Sequence, residues 1–230
     1  MIEQTNNKRK IRSFVRREGR MTPGQERALE QHSSRYGLAV AQGLISLEDV
    51  FSNKHPVTVE IGFGMGQALL AMAQAEPQMN FIGIEVHRPG VGKLLACLHE
   101  HQVDNVRVYQ EDAQQVFLKC MPDASLQRIL IYFPDPWPKK RHNKRRLIQP
   151  EFVQLLTRKL CNQGELYFAT DWEDYAHHAL EVFSAEPQLT NIQAQGGYLD
   201  RPDWRPLTKF ELRGQKLGHG VWDLGFRRTT

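Results

Sequence analysis

Three glycines at alternate positions form the first group of residues whose spacing indicates chemistry. Gly62, Gly64 and Gly66 follow Glu60 at the end of a short β-branched run, and a helical pattern comes next. Such glycines let the backbone turn sharply and approach a ligand where a strand of an open α/β sheet ends. The GxGxG spacing departs from the GxGxxG of dinucleotide sites and suits an amino acid joined to a ribose.

Acidic residues stand at the ends of three successive predicted strands. Glu60 can help hold an α-ammonium group by way of water, Glu85 can accept both hydroxyls of a ribose, and Asp112 can accept from an adenine amino group. Asp112 alone equally fits the N-cap of the following helix, and Glu85 alone would equally suit a nicotinamide cofactor. The three together line the ligand crevice that this architecture forms at its strand ends.

The sequence PDPWP (134–138) directly follows the most hydrophobic predicted strand. Its prolines fix φ near about −65° and stiffen the loop, which we expect to hold Asp135 beside the reacting group. Trp137 either packs this loop or stacks on a base. A basic run begins at once, so phosphate contacts would lie next to the chemistry.

The elements that position these residues alternate between strands and helices. The predicted strands are 57–61, 81–86, 106–110, 129–133 and 165–170, and the helices between and after them are 67–75, 92–101, 113–121, 151–161 and 173–184. A helix over 23–36, capped by Thr22 and ended by Gly37, precedes them, and a strand over 221–226 closes the chain. Because parallel neighbours need helical crossovers, we expect an α/β fold with a doubly wound, mostly parallel sheet and an antiparallel C-terminal strand. We divide the chain into a basic arm and helix (1–50) and the sheet domain (51–230).

Positive charge is concentrated in two short segments. Residues 1–20 carry net +5 and residues 139–146 carry net +6, so in a chain of net +4 the remainder carries −7. Either run alone could be a solvated loop. Two such runs against an acidic background favour a polyanionic partner, because clustered Lys and Arg neutralise phosphates.

Other features exclude several classes of protein. No apolar run approaches the length of a membrane span, and no apolar stretch follows the basic N-terminus as it would in a secretory signal. Cys97, Cys120 and Cys161 form no CxxC pair and the histidines have no metal-ligand spacing. We therefore expect no disulfide framework and no metal site, and a protein of the cytoplasm.

The glycine motif and the three strand-end acids resemble those of the class I S-adenosylmethionine-dependent methyltransferases, over about residues 57–226. Together with YFPDPWPKKRHNKRR (132–146), ATDW (169–172) and TKFE (208–211), they make nearly the whole chain similar to the bacterial, single-chain tRNA (guanine-N7-)-methyltransferases. This resemblance implies a Rossmann-like fold, S-adenosyl-L-methionine as cofactor, and N7 of a guanine in the tRNA variable loop as acceptor. We expect a monomer without an obligate protein partner or contact with a membrane, although no sequence feature determines the oligomeric state.

The resemblance assigns roles residue by residue. Asp135 belongs to the catalytic centre and, with Glu60, the three glycines, Glu85 and Asp112, to the cofactor site. The residues implied to contact the substrate are Lys139, Asp171, Thr208, Lys209, Phe210 and Glu211. The residues implied to bind RNA are Arg141, His142, Asn143, Lys144, Arg145 and Arg146, with the N-terminal arm. An acid that accepts from the guanine N1–H and amino group would explain the choice of base.

Three alternatives remain open at the level of sequence. An NAD-dependent oxidoreductase could use the same sheet, although no proton-relay motif is evident. A non-catalytic RNA-binding module could keep the fold. A methyltransferase could act on another RNA, on DNA or on a protein.

Overall fold

An α/β sheet with flanking helices makes up the computed structural model, which describes residues 13–14, 19–207, 211 and 220–230. The strands are β1 (Gly37–Leu38), β2 (Val57–Ile61), β3 (Asn80–Ile84), β4 (Val106–Tyr109), β5 (Leu126–Tyr132), β6 (Leu160–Thr170), β7 (Leu189–Asn191) and β8 (Trp222–Arg228). The α-helices are α1 (Pro23–Tyr36), α2 (Leu47–Phe51), α3 (Gln67–Ala75), α4 (Arg88–Glu100), α5 (Ala113–Lys119), α6 (Pro150–Lys159) and α7 (Glu173–Ser184). Short 3-10 helices cover Val40–Gln42 and Lys140–Arg145.

The eight strands form one sheet in the order β1-β4-β3-β2-β5-β6-β8-β7. Strands β1 to β6 pair in parallel, β8 runs antiparallel to β6, and β7 runs antiparallel to β8. The predicted fold class is confirmed, including the antiparallel C-terminal strand. Strand order reverses about β2, so the crevice for a ligand lies at its carboxyl end, between β3 and β5.

Alternation along β5 sends its side chains to the two faces of the sheet. Ile129 and Ile131 pack with residues of α5, α6 and α7, whereas Leu130 and Tyr132 pack with residues of α1, α3 and α4. Burial on both faces explains why this strand is the most hydrophobic in the sequence.

Several predicted bounds are confirmed and others differ: α4 begins at Arg88 instead of residue 92, and β5 begins at Leu126 instead of residue 129. Helices α3 and α7 have the predicted bounds, and the side chain of Thr22 caps α1 by accepting from the Gln25 amide. The strand predicted from residue 165 instead begins at Leu160, which pairs with Leu126. The Asn-Gln-Gly sequence at 162–164 is an irregularity inside β6, where φ of Gln163 is 63°. The short elements β1, α2 and β7 were not predicted, because they have too few residues for a periodic pattern.

Described residues from both sides of position 50 contribute to the same sheet and to its helix packing. Strand β1 pairs with β4 in the common sheet, and α1 packs on α4. A Cβ added at Gly92 would lie 2.6 Å from the Gln25 carbonyl oxygen, so the two helix backbones approach closely there. In the described part of the chain, no helix is long and apolar enough to cross a membrane.

Gly92→Ala is expected to destabilise the protein because its methyl group forces α1 away from α4. We expect a loss of about 1–3 kcal/mol in the free energy of unfolding, measured by urea denaturation. Gly24→Ala in α1 is the matched control: its Cβ would meet only the Thr22 hydroxyl, at 3.9 Å, and should not lower stability. Equal unfolding midpoints for the two variants would contradict the packing argument.

Candidate active site

A cavity of about 420 Å³ lies at the carboxyl ends of β2, β3, β4 and β5. Four predicted site residues line it, namely Gly62, Glu85, Asp112 and Asp135. The structure thus brings together, across four strands, the cofactor residues and the residue expected at the catalytic centre. Glu60, Gly64 and Gly66 belong to the same strand end and loop but not to the cavity wall.

The glycine loop depends on left-handed backbone conformations. Gly62, Gly64 and Gly66 have φ values of 79°, 58° and 76°, which side-chain-bearing residues rarely adopt. A Cβ at Gly62 or Gly64 would meet no atom within 4 Å, so both positions face open space that a ligand can enter. A Cβ at Gly66 would lie 2.8 Å from Leu94, so this glycine serves helix packing instead.

Glu85 anchors the glycine loop to the end of β3. One carboxylate oxygen accepts from the Gly64 amide at 2.9 Å, and the other accepts from the Val86 and His87 amides at 2.7 and 2.8 Å. These three bonds fix the carboxylate on the cavity wall. A carboxylate has about four acceptor positions, so acceptor capacity remains for a ribose.

Gly90 is a functional position that the sequence analysis missed. It lies in the first turn of α4, and a Cβ there would be 1.9 Å from the Gly64 carbonyl oxygen. Only glycine therefore lets α4 support the loop at this distance. A glycine inside a helix usually has a packing reason, but the predicted helix began only at residue 92, so this signal did not apply to Gly90.

Asp112 caps the helix α5 and also lies on the cavity wall. Its side chain accepts from the Gln114 amide at 2.9 Å, so the N-cap interpretation is confirmed. The same side chain also lines the cavity. Capping fixes the carboxylate without removing it from the site, which leaves the adenine contact as a compatible proposal.

Glu60 is buried and has an unpartnered oxygen. Its Oε2 atom has no hydrogen-bond partner among the described residues. Burial, and to a lesser degree the neighbouring Glu85 carboxylate, raises the pKa of Glu60 to about 8. A buried carboxylate without a partner fits a cation, and the α-ammonium group of an amino-acid cofactor is one. This orphan oxygen and the open glycine cradle together fit S-adenosylmethionine.

The loop that carries Asp135 has a left-handed residue on each side. Phe133 and Trp137 have φ values of 50° and 47°. The Phe133 amide donates to the Ala169 carbonyl of β6 at 2.8 Å, which fixes the point where the chain leaves the sheet. Between these two residues, Asp135 is exposed and faces the cavity.

Trp137 packs the loop in this structure. Its indole Nε1 donates to the Ser13 carbonyl at 2.9 Å, and the Arg145 guanidinium lies 3.7 Å from the ring centroid. Ser13 and Phe14, which the sequence analysis assigned only to a phosphate-binding arm, line the cavity. Nothing in their residue types indicated that position.

The basic run forms the 3-10 helix Lys140–Arg145, and its side chains differ in exposure. Lys139, Arg141 and Lys144 are exposed, whereas His142, Asn143 and Arg145 are half-buried. Arg146 is buried, contrary to its expected role in binding RNA. Its Nε donates to the Pro136 carbonyl at 3.0 Å, and its Nη2 pairs with Asp174, whose pKa the hydrogen bond from Arg146 lowers. Arg146 therefore supports the Asp135 loop and is removed from the proposed phosphate contacts.

The remaining predicted substrate residues are placed in part. Asp171 follows β6 at the same edge of the sheet as Asp135 and is half-buried. Glu211 is buried and pairs with Arg205, away from the cavity wall. Thr208, Lys209 and Phe210, like most of the N-terminal arm, lie outside the described residues. Across the described ranges, no group of three or more His, Cys, Asp or Glu side chains could hold a metal ion.

Solved structures share this architecture. The chain superimposes on the 16S rRNA methyltransferase KamB with a TM-score of 0.57 at 13% identity, covering 80% of this chain and 92% of that one. The antibiotic-resistance methyltransferase Kmr gives a TM-score of 0.54 at 14% identity, covering 84% and 94%. The fold is that of a class I S-adenosylmethionine-dependent methyltransferase.

Sequence relatives identify the family to which this chain belongs within that class. A family described as "Putative methyltransferase" matches residues 54–224. The tRNA (guanine-N(7)-)-methyltransferase of Marinobacter nauticus is 54% identical over 96% of this chain and 93% of its own length. That of Ectopseudomonas mendocina is 53% identical over 99% and 96%. The chain belongs to the tRNA (guanine-N7-)-methyltransferase family.

Glu60→Gln is expected to change stability and cofactor affinity in opposite directions. Because folding raises the Glu60 pKa from 4.5 to about 8, the wild-type protein loses stability as pH rises through that window. The variant avoids this loss, so its advantage in melting temperature should grow between pH 5 and pH 8, by on the order of a few degrees. S-adenosylmethionine should bind about 10- to 100-fold more weakly, measured by calorimetry, because a charge-assisted contact is lost. Unchanged affinity would remove Glu60 from the cofactor site.

Arg146→Lys is expected to lower turnover without altering the salt dependence of tRNA binding. The shorter, unforked side chain cannot hold both the Pro136 carbonyl and Asp174, so the Asp135 loop loses its support. Lys144→Gln is the comparison: it should weaken tRNA binding and reduce the slope of log K against log salt by about one. A reduced slope for Arg146→Lys would return Arg146 to the phosphate contacts.

Proposed function

We propose that the protein transfers the methyl group of S-adenosylmethionine to N7 of a guanine in the tRNA variable loop, giving 7-methylguanosine. The observation that carries this proposal is the exposed Asp135 carboxylate on the cavity wall, with the basic 3-10 helix Lys140–Arg145 beginning five residues later. The names of relatives that are more than half identical support the acceptor.

The cofactor contacts follow from the placement of the acids. When bound, S-adenosylmethionine supplies an electrophilic methyl group on a sulfonium. Glu60 would hold its α-ammonium group, Glu85 its ribose and Asp112 its adenine amino group, with the glycine loop closing around the amino acid. Because hydrogen bonds already fix Glu85 and Asp112, neither needs to reorganise for binding.

Asp135 acts by electrostatics and orientation. Guanine N7 carries a lone pair in the ring plane and no proton, so its attack requires no general base. The attack produces a cationic base, and a carboxylate aimed at that position stabilises the developing charge. The loop between Phe133 and Trp137 aligns the carboxylate with the acceptor, which reduces the entropic part of the barrier.

The basic side chains position the tRNA backbone. Lys139, Arg141 and Lys144 are exposed beside the cavity entrance residue Asp135 and would contact phosphates, with His142, Asn143 and Arg145 completing the surface. Lys139 and Asp171 would contact the substrate next to the base. Thr208, Lys209, Phe210 and Glu211 extend this set by resemblance.

A single chain carries both the cofactor cavity and the basic helix, so we propose a monomeric enzyme of the cytoplasm that needs no partner subunit. Methyl transfer from a sulfonium to a free lone pair requires no Lewis acid. Activity should therefore persist in EDTA.

Incubation with radiolabelled S-adenosylmethionine and unmodified tRNA, followed by nucleoside analysis, tests the function. Label should appear as 7-methylguanosine. Asp135→Ala should reduce turnover by about 100-fold or more, since an electrostatic contact to the transition state is lost, while cofactor affinity changes much less.

Glu100→Ala, an exposed acid at the end of α4, is the control for removing a negative charge and should keep full activity. Label in another nucleoside would overturn the proposed acceptor atom. Full turnover in Asp135→Ala would remove Asp135 from the catalytic centre.

A further inference from the structure

The hydroxyl group of Tyr132 is a buried donor at the cofactor cavity. Tyr132 lines this cavity and is only 7% exposed, and its Oη atom has no hydrogen-bond partner among the described residues. In the described part of the cavity wall, no other residue has a buried side-chain atom in this state. Buried polar groups are nearly always hydrogen-bonded, so this hydroxyl needs a partner that the described chain does not supply.

Strand pairing places Tyr132 beside the glycine loop. Ile61 of β2 pairs with Ile131 of β5, so the next residues along, Gly62 and Tyr132, lie side by side at the end of the two strands. A Cβ at Gly62 would meet no atom within 4 Å, and the space beside that glycine is therefore open. Tyr132 thus adjoins the space proposed for the amino-acid part of the cofactor.

Glu60 and Tyr132 lie on the same face of the sheet. Glu60 pairs with Leu130, and Tyr132 is two residues further along β5, so alternation directs their side chains to one side. Such diagonal neighbours are about 7–8 Å apart, which is within reach of long and aromatic side chains. Burial, and then the charge of Glu60, raise the pKa of Tyr132. Its hydroxyl consequently stays protonated at neutral pH and remains a donor.

The Arg205 guanidinium covers the Tyr132 ring at 5.6 Å from its centroid. Nη1 and Nη2 of Arg205 donate to the two Glu211 oxygens at 2.7 and 2.9 Å, and Nη2 also donates to Asp223 Oδ2 at 3.0 Å. These buried ion pairs fix the guanidinium, which packs the ring without accepting from its hydroxyl. The hydroxyl is therefore held in place before a ligand binds, which lowers the cost of binding.

We propose that Tyr132 is a cofactor-binding residue whose hydroxyl donates a hydrogen bond to the α-carboxylate of S-adenosylmethionine. The proposal rests on the proposed function, in which Glu60 holds the α-ammonium group of the same cofactor. Because both groups are bonded to one carbon atom, the residue that holds the carboxylate must lie beside the residue that holds the ammonium. An ionised Glu60 is an acceptor and Tyr132 is a donor, which matches the charges of the two groups.

Calorimetry with two ligands tests this contact. Decarboxylated S-adenosylmethionine keeps the amino group and the sulfonium but has no α-carboxylate. Tyr132→Phe should weaken the binding of S-adenosylmethionine about 10- to 100-fold, because a charge-assisted hydrogen bond is lost. The same variant should bind the decarboxylated analogue within about twofold of wild type, since the two changes remove the same contact.

Glu60→Gln separates this contact from the one proposed for Glu60. Both ligands keep the ammonium group, so Glu60→Gln should weaken the binding of both, whereas Tyr132→Phe should weaken only that of S-adenosylmethionine. If Glu60→Gln binds both ligands as wild type does, the ammonium contact of the proposed function fails. A selective effect of Tyr132→Phe would still support the carboxylate contact.

Tyr36→Phe is the matched control. Tyr36, at the end of α1, is also buried with an unpartnered hydroxyl, but it is outside the cavity wall. Its variant should bind both ligands as wild type does. Because each substitution removes an unpartnered buried hydroxyl, neither should lower the melting temperature of the ligand-free protein.

Three outcomes would overturn the proposal. The first is unchanged affinity of Tyr132→Phe for S-adenosylmethionine. The second is an equal loss of affinity for both ligands, which would indicate that the hydroxyl supports the fold of the site. The third needs no variant: a wild-type protein that binds the decarboxylated analogue as tightly as S-adenosylmethionine gains nothing from the α-carboxylate.

Discussion

The backbone of the loop from Phe133 to Trp137 is the constraint on which the site depends, because it alone brings Asp135 to the cavity. Its two flanking residues adopt left-handed conformations that cost about 1–3 kcal/mol each for side-chain-bearing residues. Three contacts compensate: the Phe133 amide bonds Ala169, Arg146 bonds the Pro136 carbonyl, and the Trp137 indole bonds Ser13. The three contacts come from the sheet, from Arg146 with α7, and from the N-terminal segment, so the strain is balanced from three directions. Prolines inside the loop further restrict its backbone dihedral angles.

Burying ionisable side chains is the second free-energy cost of building this site. One oxygen of Glu60 has no partner among the described residues, and burial raises the pKa of this carboxyl to about 8, so a cation bound beside it would favour the ionised form. Burial also raises the pKa of Tyr132, and the Glu60 carboxylate raises it further. The opposite case is Arg205, whose two carboxylate partners keep it charged. The unpaired Glu60 carboxylate favours a cationic ligand. The paired Arg205 cluster holds its side chains in place without a ligand.

Much of the sheet could be predicted, because its signals are local. Periodicity predicted α3 and α7, the Thr22 N-cap predicted the start of α1, and the acids at strand ends predicted the location of the cavity. Contacts between residues distant in sequence could not be predicted in this way. Arg146 belongs to a run of six cations, and only the fold shows that it is directed inward at Pro136 and Asp174. Likewise, the roles of Gly90 and Ser13 depend on residues that are distant in sequence. Gly90 packs on the backbone of Gly64, and the Ser13 carbonyl accepts from the Trp137 indole.

The direction of charge movement determines what the acids of the cavity can contribute. During methyl transfer, positive charge leaves the donor sulfur and appears on the guanine, so the total charge in the cavity stays the same. Acids that interact equally with both positions would stabilise the bound reactants as much as the transition state and would not accelerate the reaction. Glu85 and Asp112 follow β3 and β4 on the cavity wall, and Glu60 is buried at the end of β2. Asp135 lies instead on the loop after β5, next to the basic helix. Its contribution to rate therefore depends on lying closer to N7 than to sulfur, which is a matter of position rather than of charge.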